Sequence, residues 1–130
     1  MTVPSPPPRR PPLTLGRRGE EAAACWYAAA GYRVLARNWR RPQGEIDLVA
    51  QQPGGPVVFC EVKTRSSVRY GTPREAVTPA KRHRLRRLAA QWLSEQRRRH
   101  GQLVAVRFDV VAVRAGPRGT LVLDVLHDAF

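Results

Sequence analysis

Apolar and polar positions change their period several times along this chain, and each change marks an element. After Thr14, Leu15, the alanines 22 to 24, Cys25, Trp26, Tyr27 and the run Ala28 to Ala30 are mostly good helix formers, and Gly31 supplies a C-terminal stop. Tyr32 to Trp39 alternates loosely and is rich in Val, Leu and aromatic side chains, which predicts a first strand ending before Pro42 and Gly44. Two short apolar runs, Glu45 to Ala50 and Val57 to Lys63, flank Pro53-Gly54-Gly55 and read as a hairpin. Thr78 then looks like an N-cap with Pro79 at the first helical position. Leu85, Leu88, Ala89 and Trp92 recur at helical spacing and carry this second helix to about Arg97. Val104 to Val113 and Leu121 to Leu126 are β-rich and are joined by the turn-like stretch Ala115 to Gly119. The predicted order is α-β-β-β-α-β-β, an α/β class chain.

The hairpin pattern predicts a register as well as an element. If the loop is Pro53, Gly54 and Gly55, opposed positions sum to 108, so Leu48 faces Cys60, Ala50 faces Val58 and Ile46 faces Val62 on an apolar face. The other face then gathers charge, with Asp47 opposite Glu61 and Glu45 opposite Lys63. A loop one residue shorter or longer would move Glu61 to the opposite face from Asp47 and mix charges into the apolar set, because the side-chain period along a strand is two. Two carboxylates directly across a ladder cost up to ~1 kcal/mol, so an arrangement that keeps them calls for a counter-ion. A hard divalent cation, Mg²⁺ or Mn²⁺, takes oxygen ligands and suits that role. Lys63 follows Glu61 by two residues on the same face, where its ammonium can position an attacking water and offset negative charge developing on a phosphate. An E-x-K sequence by itself also fits a solvated strand face. What raises its weight is the matched register together with an acidic helix upstream and a basic helix downstream.

Composition narrows the ligand. The 130 residues carry 23 Lys and Arg against 10 Asp and Glu, a formal net charge of +13, and such an excess calls for a polyanionic partner. A chain of this length can bury one ordinary core without staples, so residues 13–130 are expected to form a single domain. Residues 1–12, MTVPSPPPRRPP, are expected to be a disordered polyproline-like arm carrying Arg9 and Arg10. Nothing in the pattern reaches the roughly 20 apolar residues of a membrane span, which makes a cytoplasmic protein without a membrane partner the expectation. Cys25 and Cys60 show no zinc-ligand spacing and are expected to be buried free thiols.

At GRRGEEAA (16 to 23), GYRVLARNWR (31 to 40), GEIDLVA (44 to 50), FCEVKTR (59 to 65) and RFDVV (107 to 111), the chain resembles the YraN family of small endonuclease-like proteins. That family is similar to the Holliday-junction resolvases and to the wider PD-(D/E)xK, restriction-endonuclease-like superfamily. The resemblance implies a mixed β-sheet flanked by helices and a divalent-metal site. In this numbering it makes Asp47 and Glu61 metal ligands, Lys63 the catalytic lysine and Glu20 an additional acid from the first helix. The expected activity is metal-dependent endonucleolytic hydrolysis of DNA phosphodiesters, with branched or structured DNA suggested by the resemblance.

The segment Lys81 to Arg87 places basic side chains around most of the second helix, while Leu85 and Leu88 point inward. Lys81, Arg82 and Arg84 on this helix, with Arg65, Arg69 and Tyr70 after the E-x-K strand, are the candidate nucleic-acid contacts, with DNA favoured over RNA. Solvated cationic surface and a plain loop are the ordinary explanations for the same residues. Glu45 is expected to pair with Lys63 or to be solvated, and Asp109 is either an accessory acid or a strand-edge carboxylate. Apolar positions on Leu121 to Leu126 give an edge on which a homodimer could form. The alternative function is a catalytically silent nucleic-acid-binding module built on the nuclease fold.

Overall fold

The structure, a computed structural model, describes residues 13–65, 74–100 and 105–130, with side chains of the helix followed to residue 96. The arm 1–12 and the candidates Arg69 and Tyr70 lie outside the described residues. Helix α1 spans Leu15–Ala29, followed by strands β1 (Arg33–Arg41), β2 (Gly44–Gln51) and β3 (Val57–Arg65). Helix α2 (Pro79–His100) leads to β4 (Val106–Ala115) and β5 (Leu121–Leu126), so the order is the one expected. The α1 start is fixed by the Thr14 hydroxyl, which accepts from the Arg17 amide at 3.2 Å, and its end by Gly31 at φ +92°. Thr78 Oγ1 accepts from the Lys81 amide in the same way, at 3.2 Å, so the first turn of α2 has its cap.

The five strands form one sheet in the order β1-β2-β3-β4-β5. Pairing is antiparallel except between β3 and β4, which run parallel because α2 carries the chain back between them. The sheet is therefore mixed and is covered on both faces. On one face Ala23, Ala24 and Tyr27 of α1 pack on Leu48, Ala50, Val58, Cys60, Val62, Val111 and Val113. On the other, Leu88, Ala89 and Trp92 of α2 pack on Ile46, Val49, Val57 and Phe59. Each of these large side chains contributes about 1.5–3 kcal/mol on leaving water, so both helices are held chiefly by their apolar stripes.

The hairpin register is the expected one: Leu48 pairs with Cys60, Val49 with Phe59, Ala50 with Val58 and Gln51 with Val57. Two features of the hairpin differ from the simple alternation. The ladder stops at Leu48 and Cys60, and the next strand amide, that of Val62, donates instead to Asp47 Oδ2 at 2.9 Å. The strands thus part where the charged residues begin. Ile46, expected with Leu48 and Val62, lies in the opposite cluster with Val49, although the two positions are three apart and strict alternation would put them on opposite faces. Alternation is broken between them. The neighbouring strand breaks at the same level, with Asn38 at φ 49° between the paired residues Arg37 and Trp39. Closer to the start of β1, Leu35 is an extra residue that shifts the register between Val34 and Ala36.

Candidate active site

The kink in β2 and the parting of β2 from β3 create a polar hollow at the end of the hairpin, against the first turns of α2. Gly44, Glu45, Asp47, Glu61, Lys81, Arg84 and Leu85 line a cleft of about 220 Å³. Asp47 and Glu61, each one residue beyond the last ladder pair, are 8% and 5% exposed, so two carboxylates are nearly out of water in one cleft. From α1, Glu20 joins them: ligand atoms of Glu20, Glu45 and Asp47 all lie within 4.8 Å of one another. Gly19 is what allows α1 to approach so closely, because a Cβ there would collide with the Thr64 hydroxyl on β3.

The electrostatics follow from this crowding. Burial, and next the Glu61 carboxylate, push the Asp47 carboxyl up to about 8, with smaller contributions from Glu20 and Glu45 and against the Val62 amide that favours its charged form. Glu61 is engaged by two ammonium groups: Lys63 Nζ lies 3.7 Å from Oε1, and Lys81 Nζ contacts the same oxygen directly. The two lysines differ in consequence. A hydrogen bond from Lys81, then burial and the positive field of Lys81 and Arg65, lower the Lys63 amine below the ordinary lysine range, although Glu61 opposes this. For Lys81 burial works downward, but the hydrogen bonds with Glu61 and Lys63 outweigh it and raise its affinity for its proton. Lys81 keeps its charge, and Lys63 is the more easily deprotonated of the pair.

Glu20, Asp47, Glu61 and Lys63 therefore come together at one end of the sheet. Glu45, not expected as a ligand, stands with Asp47 and Glu20, and its salt bridge is to Arg40 at 2.8 Å, not to Lys63. Of the basic candidates, Lys81 is inside the cleft, Arg84 is exposed on its rim, and Arg65 closes β3. Arg82 is occupied structurally, donating to the carbonyls of Val77 at 3.0 Å and Arg74 at 3.1 Å. Asp109 is fully buried away from these acids. Tyr27 donates to it at 2.6 Å, Arg107 through two nitrogens at 2.9 Å, and the Asp128 amide at 3.0 Å, while His127 Nδ1 lies at 2.7 Å. It is a structural carboxylate. Cys60 is buried as expected, whereas Cys25 is exposed because its position on α1 faces away from the sheet.

Two sequence signals for the unexpected members existed. Glu45 is two residues from Asp47 and shares its strand face, and Lys81 stands at i, i+4 and i+7 with Leu85 and Leu88, on the inward stripe of α2.

All metal-ligating donors that converge here are carboxylate oxygens, in a crowd whose burial and mutual repulsion are already expressed in the raised Asp47. That donor set fits a hard divalent cation and does not fit a soft one. No helix of the described residues is long and apolar enough to cross a membrane.

Comparison with known proteins adds the family context. A family model described as "Uncharacterised protein family UPF0102" matches residues 19–113, a span that includes Glu20, Glu45, Asp47, Glu61, Lys63 and Lys81. A UPF0102 protein of Symbiobacterium thermophilum is 52% identical over 116 residues, covering 89% of this chain and 95% of the relative. One from Frankia alni is 49% identical over 116 residues, covering 89% and 93%, and one from Rhodococcus opacus is 46% identical over 118 residues, covering 91% and 97%.

Proposed function

The chain belongs to the UPF0102 family, the YraN family that its motifs resemble, and we propose that its carboxylate cleft makes it a divalent-metal-dependent nuclease hydrolysing phosphodiester bonds of DNA. The observation that carries this reading is the convergence of Glu20, Glu45 and Asp47 beside a buried Glu61 that is held by two lysines. Evolution of a merely solvated surface would not bury like charges together, since each carboxylate taken from water without a counter-charge costs several kcal/mol.

Asp47, with Glu61 and the neighbouring Glu20 and Glu45 carboxylates, would hold Mg²⁺ or Mn²⁺. Such a cation supplies Lewis-acid polarisation of a phosphoryl oxygen and lowers the pKa of a water. The chain's own groups do the rest. Asp47 is fixed by the Val62 amide, so its second oxygen is free to face the cleft. Glu61 is held by Lys81, and Lys63, about a third exposed, stands 3.7 Å from the same Glu61 oxygen, where it would meet an incoming phosphate. Lys63, with its lowered proton affinity, can accept a proton from the attacking water more readily than an ordinary lysine, and when charged it stabilises the negative charge developing on the phosphate. The basic surface of α2 supplies the field that draws the polyanion in.

Calorimetric titration of the full chain with Mn²⁺ tests the site itself. Binding in the native protein, lost in Asp47→Ala with DNA affinity retained, is the expected result. Unchanged Mn²⁺ binding in Asp47→Ala would show that the site is elsewhere, and absence of binding in the native protein would leave a DNA-binding module without a metal centre.

A further inference from the structure

Next to the acidic cleft lies a second one of the opposite character. Gln43, Ala80, His83, Arg84 and Arg87 line a hollow of about 240 Å³. Residues 80, 83, 84 and 87 are spaced i, i+3, i+4 and i+7, so they form one stripe on α2, and Gln43 comes from the β1–β2 turn. The two hollows share Arg84 as a wall, and they meet on the hairpin side at the consecutive residues Gln43 and Gly44. Gly44, at φ +143°, leaves room for the Arg84 stem, which a Cβ there would meet at 3.2 Å.

This second hollow contains no carboxylate, and among the described residues no acid pairs with His83, Arg84 or Arg87. That is unusual company for neighbours of four acids. Elsewhere on this surface, guanidinium groups are taken up by the protein: Arg41 forks onto Glu95 at 3.2 and 2.7 Å, and Arg82 is held by backbone carbonyls. The Arg41–Glu95 fork also ties the end of β1 to α2, so the turn bearing Gln43 is held against the helix.

The geometry points to a dedicated phosphate subsite: His83, Arg84, Arg87 and Gln43 bind the backbone phosphate adjacent to the one that sits at the carboxylates. Planar guanidinium groups suit phosphate oxygens, and the Gln43 amide adds a neutral donor. Because the shared wall is Arg84, one side chain can touch both phosphates and set the spacing between them. This deepens the proposed function and rests on it for the identity of the neighbouring phosphate. The substrate class that follows is a polynucleotide strand recognised through its backbone, DNA or RNA alike at this subsite, and not a mononucleotide or an isolated phosphodiester.

The test measures anisotropy of a short fluorescein-labelled single-stranded DNA, and of RNA of the same sequence, with full-length protein in chelator across a salt series. Arg87→Ala removes one guanidinium. Ala80→Glu places a carboxylate in the hollow at a first-turn position where the helix dipole favours an acid, so the fold is retained. Each variant is expected to weaken binding of both probes about tenfold and to reduce the log–log salt slope by about one. With Mn²⁺, both variants should hydrolyse bis(p-nitrophenyl) phosphate, which has no second phosphate, at the native rate. Native affinity and salt slope in both variants would overturn the subsite, whatever the protein cuts. Weakened binding in a protein that cleaves neither probe nor bis(p-nitrophenyl) phosphate would instead remove the nuclease reading and leave the subsite standing.

Discussion

Replacing Asp47 by Asn should make the metal-free protein more stable at neutral pH, and the gain should grow with pH. In the fold, burial and the Glu61 carboxylate raise the Asp47 carboxyl from 3.8 to about 8. Between those values the folded chain holds a proton that the unfolded chain has released, so the native protein loses stability as pH rises through this window and is level outside it. One proton corresponds to about 1.4 kcal/mol per pH unit. Across a window of roughly 4 pH units the ceiling is therefore ~6 kcal/mol. Water entering the cleft and the nearby Lys81 charge bring the realised cost below that. Asn keeps an oxygen to accept from Val62 and does not titrate. Urea unfolding in chelator at pH 5, 6, 7 and 8 reads the effect as the difference between variant and native protein, which cancels the other titrating groups. The variant should gain about 1.4 kcal/mol per unit from pH 5 to 7 and level off above 8. Parallel profiles would refute the reasoning, since they would mean that Asp47 ionises in the fold as it does in the unfolded chain. In the same window a cation must displace that proton, so apparent Mn²⁺ affinity of the native protein should rise about tenfold per pH unit up to about pH 8.

Three other substitutions probe the supports of the site. Gly19→Ala should cost ~1–3 kcal/mol in urea unfolding, because the new methyl collides with Thr64, and should weaken Mn²⁺ binding by shifting Glu20. Tyr27→Phe removes a donor from the fully buried Asp109 and should lower stability by ~1–3 kcal/mol while leaving Mn²⁺ affinity unchanged by calorimetry. Lys81→Met takes an ammonium out of the acidic cleft, so Mn²⁺ affinity should rise several-fold while stability without metal falls by ~1–3 kcal/mol.

Much of this site was legible in the sequence because the hairpin obeys a strict rule. A three-residue turn and a period of two leave one register that separates Leu48, Ala50, Val58 and Cys60 from the acids, and the strands adopt it. The rule does not foresee where a strand breaks. Asn38 in the left-handed region and the kink beside Asp47 send Ile46 to the α2 face, and neither leaves a mark in the apolar pattern. The same kink explains why Asp47 meets the Val62 amide in place of a continued ladder, and why Glu45 turns toward Glu20 and Arg40 and not toward Lys63. Lys81 was legible as a cation on a basic helix, but its contact with Glu61 depends on how closely α2 approaches β3, which is a tertiary distance. Cys25 shows the limit of composition alone: in a run of small helix formers, nearly every rotation of α1 looks equally apolar, and the thiol faces out.

The central claim is that these carboxylates and Lys63 cut DNA. It is tested most directly by incubating the full chain and its Lys63→Ala variant with labelled linear, single-stranded and four-way-junction DNA, in Mn²⁺, in Mg²⁺ and in chelator. The account predicts cleavage by the native protein with metal, none in chelator, and a loss of at least about a hundredfold in the variant with DNA binding retained. Binding without cleavage under every metal condition, or cleavage undiminished in Lys63→Ala, would contradict it.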